Sequence, residues 1–146
     1  MRTTFRKSRS MLLMGLLSLL ACEESTSPPD AAIGNYTAVT FTTTPTGGSA
    51  RNEIAAGSTL TLNLVGDGST SGHLHVAAPT AGSPPFDADM AGTWVQNGSI
   101  VDVSQGADTF VRNMPFTLTA GPTANRDLVG DETFNGVRIQ VTLRKI

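Results

Sequence analysis

The stretch Val137-Arg138-Ile139-Gln140-Val141-Thr142-Leu143-Arg144 decides the fold. Its apolar residues recur at every second position, and successive side chains of a strand point to opposite faces. Val137, Ile139, Val141 and Leu143 therefore share one face, and Arg138, Gln140, Thr142 and Arg144 share the other, as in a strand with one side buried. Leu60, Leu62 and Leu64 repeat the pattern against Thr59, Thr61 and Asn63, and Val39 and Phe41 alternate with Thr40 and Thr42.

Turn chemistry divides the strands. Asn-Gly and Asp-Gly pairs tolerate the positive φ that a tight hairpin requires. Asp67-Gly68 separates a strand at Leu60 to Val65 from one at Gly72 to Val76; Asn97-Gly98 separates Ala91 to Gln96 from Ile100 to Val103; Asn135-Gly136 precedes the last strand. Further strands are predicted at Thr109 to Asn113, Phe116 to Thr119 and Arg126 to Val129, with Pro115 at a bulge or edge. Two longer connections, Thr43 to Ser58 and Ala77 to Phe86, carry the prolines and glycines of loops and are expected to cover one end. No stretch beyond residue 22 has a helical stripe. About eight short antiparallel strands in sequence order predict an all-β domain, either a single up-and-down barrel, which removes exposed edges, or a β-sandwich.

The N-terminus has a different logic. Arg2, Arg6, Lys7 and Arg9 precede the apolar run Met11 to Leu20. Ten residues fall short of the about 20 that a membrane-spanning helix needs, so the run reads as the apolar core of a secretory signal. Leu19-Leu20-Ala21-Cys22 then resembles the lipobox of bacterial lipoproteins. That resemblance implies cleavage before Cys22, acylation of its thiol and new amino group, and membrane attachment. Two or three acyl chains, at roughly 0.8 kcal/mol per buried methylene, give durable anchoring. Glu23 stands where many inner-membrane lipoproteins of that family carry aspartate, so the resemblance favours an outer membrane in a source that has one. The expected organisation is a signal peptide over 1–21, a lipidated tether over 22–32 containing Pro28-Pro29, and a barrel domain over 33–146.

Without residues 1–21 the chain retains six basic against twelve acidic residues, a formal charge of −6. Nucleic-acid binding needs a basic footprint and is not expected. Cys22 is the sole cysteine, so neither an internal disulfide nor a thiolate metal cluster can form.

Gly34-Asn35-Tyr36, the Asp67-Gly68 hairpin, Gly92-Thr93-Trp94 and the terminal strand together resemble a small bacterial lipocalin-like barrel over most of residues 33–146. In that family the Gly-x-Trp element opens the first strand; here Trp94 lies mid-domain and Tyr36 occupies the first strand. No ligand-binding residue carries over.

Several residues carry candidate chemistry. His73 and His75, the only histidines, share one strand face opposite Leu74 and Val76, and imidazoles at that spacing suit zinc, copper or nickel. A third ligand would have to come from Asp67, Asp87, Asp89 or Asp102. The competing reading is a solvated polar face. Trp94 is in phase with Met90 and Gly92, either lining a cavity or plugging the core with Phe110, Phe116 and Phe134. The acidic pairs Asp87 with Asp89 and Asp131 with Glu132 read as solvated turn residues, since catalytic carboxylates must flank a cleft. No Gly-x-Ser-x-Gly elbow is present. The expectation is a non-catalytic envelope lipoprotein without a cofactor. It binds a small apolar ligand through the inward residues Leu60, Leu62, Leu64, Trp94, Val137, Ile139 and Val141, or it is a solidly packed barrel that contacts an envelope protein. A His73/His75 metal-binding protein is a distant third.

Overall fold

A computed structural model describes residues 31–78, 82–107, 110–121 and 126–146. The expected leader, Cys22 and most of the tether lie outside these residues, as does Thr109. The strands are β1 (Gly34–Pro45), β2 (Arg51–Asn52), β3 (Thr59–Leu64), β4 (Ser69–Val76), β5 (Phe86–Asp89), β6 (Gly92–Asn97), β7 (Ile100–Gln105), β8 (Pro115–Ala120), β9 (Arg126–Phe134) and β10 (Val137–Lys145).

Eight of them close a barrel. The order β1-β3-β4-β6-β7-β8-β9-β10 returns to β1, and every pairing is antiparallel. The first and last strands seal the wall through nine paired positions, from Tyr36 opposite Lys145 to Pro45 opposite Val137. This closure decides between the two architectures the sequence leaves open, because a sandwich would leave those strands unpaired as edges. β2 and β5 lie outside the ring, β2 on β1 and β5 on β4.

The alternation read from β3 and β10, which β7 shares, becomes the inside and outside of the barrel. Leu60, Leu62 and Leu64, Val101 and Val103, and Ile139, Val141 and Leu143 are buried, while their neighbours are mostly exposed. The turn between Phe134 and Val137 places both Asn135 (φ 49°) and Gly136 (φ 76°) in the left-handed region, as a type I′ hairpin demands.

Three expectations are corrected. Residues 110–113 form a 3-10 turn with Phe110 and Val111 buried, rather than a strand. The segment is four residues long, and its two adjacent apolar residues cannot alternate. Val39 does not share the face of Phe41: the ladder shifts register between Ala38 and Thr40, which leaves Val39 exposed while Tyr36 and Phe41 both point inward. Such a bulge inserts one residue and reverses the parity beyond it. Finally, the Ala77 to Phe86 connection ends in β5, which the sequence reading does not include.

β5 and β6 are two halves of one interrupted strand. His73 opposite Asp89 and Thr70 opposite Gly92 belong to one continuous register along β4, and in the gap Met90 N–H donates to the Gly72 carbonyl at 3.1 Å. Gly72 makes this path possible: its φ is +132°, and a Cβ there would stand 2.3 Å from the Thr61 carbonyl oxygen. β4 thus feeds the ring through its first half and holds β5 outside with its second.

Candidate functional site

The two ends of the barrel differ. At the end where the chain enters, Trp94 is buried and its Nε1–H donates to the Val65 carbonyl at 2.8 Å, across the base of the Asp67-Gly68 turn. Tyr36 is buried there too, with its hydroxyl donating to the Ala32 carbonyl at 2.8 Å. Burial pushes the Tyr36 phenol up to about 12. Both polar tips are satisfied, so two large aromatic side chains close this end without an orphaned donor.

The opposite end opens on an apolar hollow of about 280 Å³ lined by Phe41, Thr43, Val76, Phe86, Phe110, Phe134, Asn135, Val137 and Ile139. Its floor is the buried ring of Phe41, tilted against Phe110 with centroids 5.6 Å apart. Its rim is apolar as well: Phe86 and Phe134 are 43% and 36% exposed. A larger hollow of about 330 Å³, beside Asn35, Thr61, Asn63, Ser71 and Ile146, is lined by more polar side chains.

The two long connections meet at the open end, as expected. Within the first, β2 folds back on β1, pairing Asn52 with Thr42 and Arg51 with Thr43. Arg51 Nη2 then donates to the Ala77 and Ala78 carbonyls of the second connection at 3.4 and 3.1 Å, and Ala77 N–H donates to Ser58 Oγ at 2.9 Å. Glu53, only 2% exposed, is the hub. Its carboxylate accepts from Thr43 Oγ1 at 2.6 Å and Ser58 Oγ at 3.0 Å and stands 3.7 Å from Arg51 Nε. A buried carboxylate needs such partners, and this one fixes the rim on the β1 side. Thr46 completes the fastening, donating both its N–H and its hydroxyl to the Gly136 carbonyl.

Of the inward candidates, Val137 and Ile139 line this mouth, whereas Leu60, Leu62, Leu64, Trp94 and Val141 are packed in the core away from it. Trp94 is buried like Met90 and does not line the apolar mouth. Phe110 and Phe116 are buried in the same core, but Phe134 departs from expectation by standing on the rim.

The structure brings His73 and His75 to two of the expected carboxylates. Asp89 lies opposite His73 and Asp87 opposite His75 across the β4–β5 ladder. Asp87 Oδ1 stands 3.1 Å from His73 Nε2 and 2.8 Å from His75 Nδ1, while Asp89 Oδ1 is 3.5 Å from His73 Nδ1. Asp87 and Asp89 are therefore outer-face strand residues, not turn residues. The hydrogen bond that His73 donates to Asp87 raises His73 above the usual histidine range, and the bonds that Asp87 accepts from the two imidazoles, His75 first, lower Asp87. Among the described residues no group of three or more His, Cys, Asp and Glu is arranged to hold a metal ion; here the Asp87 oxygen is shared by the two rings. Asp131 likewise belongs to a strand face, where bidentate Arg138 and then Gln140 hold its carboxyl low.

Sequence reasoning misses Phe41, Val76, Phe86 and Phe110 as mouth residues. Val76 and Phe86 are apolar side chains at strand ends, Phe110 lies in a connection and Phe41 lies beyond the bulge of β1, and only the closure of the ring shows that these positions coincide. Comparison of the chain with protein-family models, curated proteins and solved structures finds no match.

Proposed function

We propose that this chain is an exported, lipid-anchored binding protein that holds a small apolar molecule at the open mouth of its barrel. The observation that carries the reading is the contrast between the ends, one plugged by satisfied aromatic residues and the other an apolar hollow of about 280 Å³ with two exposed phenylalanines on its rim. Water gains nothing by wetting such a surface, and covering it is favourable at roughly 25 cal/mol per Å² of apolar area. A dry cavity of roughly 150 Å³ takes benzene, so this mouth suits an occupant of about bicyclic size. The barrel centre is filled by leucine, valine and tryptophan, which favours an occupant at the rim over one deep inside.

Attachment through Cys22 fits this geometry. β1 begins at the plugged end, so a tether over 22–32 would fasten that end toward the membrane and leave the mouth facing away. A second reading, a packed barrel that docks an envelope protein, draws on the same rim: Phe86 and Phe134 would then insert into a partner rather than flank a ligand.

Native mass spectrometry of the purified protein distinguishes the two. A copurifying apolar molecule supports ligand binding; a ligand-free chain that copurifies with a protein, lost in the Phe134→Asp variant, favours docking. For the anchor, acyl labelling lost in Cys22→Ser is the expected result, and persistent labelling would contradict it.

A further inference from the structure

The His–Asp cluster joins β4 of the ring to β5, the strand outside the ring that brings Phe86 to the mouth. β5 is four residues long, pairs only with β4, and carries Phe86 into the hollow at the position opposite Val76. Its inward contribution to the core is the partly buried Ala88. Beyond the ladder itself, its fastening is the contact of Asp87 and Asp89 with His73 and His75 on the outer face.

We propose that β5 is a strap whose grip on β4 is set by the charge of the His–Asp cluster at His73, so that the Phe86 wall of the mouth is firmest in mildly acidic medium and loosens as His73 becomes neutral. This rests on the reading of the mouth as the binding site. With both rings charged, Asp87 accepts charge-assisted hydrogen bonds from two imidazoliums and Asp89 faces a third N–H. Such bonds are roughly twice as strong as neutral ones. With both rings neutral, Asp87 can still accept one N–H from each ring, but the ion-pair attraction is gone, Asp89 faces an unprotonated His73 Nδ1, and the two carboxylates on one face repel without compensation.

The facing groups leave the cluster in control of its own titration. β3, on the other side of β4, presents Thr61 opposite His73 and Thr59 opposite His75, both uncharged. Thr61 Oγ1 accepts the His73 backbone N–H at 3.0 Å. β5 presents Asp87 and Asp89 on that face, and Arg51 is bonded past the end of β4, to the Ala77 and Ala78 carbonyls. Because His73 is raised, its contribution is complete below 6.5 and is lost as pH rises through its folded value. Because Asp87 is lowered, its contribution is present above 3.8 and is lost as pH falls through its folded value. The strap should therefore grip best between these limits.

The test measures amide exchange of β5 by NMR, normalised to intrinsic rates, at about pH 5.5 and about pH 8.5 with chelator throughout. The affinity for the uncharged probe N-phenyl-1-naphthylamine is measured in parallel. Wild-type β5 protection and probe affinity should each fall about two- to fivefold at the higher pH, the scale of exposed ion pairs. Both should be insensitive to pH in the His73→Gln/His75→Gln chain. Asp87→Asn, which keeps the shape and removes the charge, supplies the same comparison should the double variant not fold. β5 protection that is flat in wild type, or that changes equally in the variants, overturns the strap. PH-dependent protection with probe binding indifferent to pH overturns its control of the mouth. PH-dependent protection with no probe binding at any pH leaves the strap standing and contradicts the ligand reading instead.

Discussion

Trp94 donates its indole N–H to the Val65 carbonyl at 2.8 Å, and this bond joins β6 to the turn that links β3 and β4. It does at the entry end what no described residue does at the other: it fills the bore with a large side chain whose polar atom is satisfied. Trp94→Phe should cost about 1–3 kcal/mol, from the lost hydrogen bond and the space left by the second ring. Chemical denaturation should show the loss as a lower midpoint. Probe affinity at the mouth, on the far side of the core, should be unchanged.

Tyr36 is the only tyrosine, so its ionisation can be followed directly by ultraviolet absorbance. With the phenol pushed up to about 12, no transition should occur near the ordinary value of 10.0 while the chain stays folded. The sign for stability follows. Above 10.0 the unfolded chain loses the phenolic proton and the folded chain retains it, so stability falls with rising pH until the folded phenol itself ionises. A phenolate signal developing near 10 in the folded protein would show that the Tyr36 hydroxyl is not buried against Ala32.

The barrel wall was legible in the sequence because β3, β7 and β10 each have one wet and one dry face, which imposes a period of two. The Asn135-Gly136 turn was legible because its two positive φ angles need those residues. β1 was misread beyond Ala38, since a bulge changes which side chains point inward without leaving a mark in the composition. β5 was invisible for a related reason. Phe86-Asp87-Ala88-Asp89 is too short to show a period, and it becomes a strand only because β4 continues past the ring and offers it an edge. The His–Asp cluster was half legible: the histidines share a face by alternation, but the choice of Asp87 and Asp89 over Asp67 and Asp102 depended on that unseen pairing. Of the mouth only Val137 and Ile139 could be read, because the other lining residues lie on separate segments that only the closed ring brings together.

Glu53 offers a test of how the rim is held. Glu53→Ala removes the acceptor shared by Thr43 and Ser58 and leaves Arg51 without its nearest carboxylate. Stability should drop by about 1–3 kcal/mol, the cost of leaving buried donors unpaired. Glu53→Gln retains acceptor capacity in one carbonyl oxygen and should cost less. If both substitutions are neutral in thermal unfolding, the connection over residues 46–58 is not fastened through this carboxylate.

The central claim is that the apolar mouth binds a small uncharged molecule, and fluorescence titration with N-phenyl-1-naphthylamine tests it most directly. Wild type should show saturable enhancement with one site per chain. Val137→Asp, which puts a charge in the lining, should abolish it, whereas Val95→Asp on the exposed outer face should leave it intact. No saturable enhancement in wild type, or equal binding by Val137→Asp, would contradict the account.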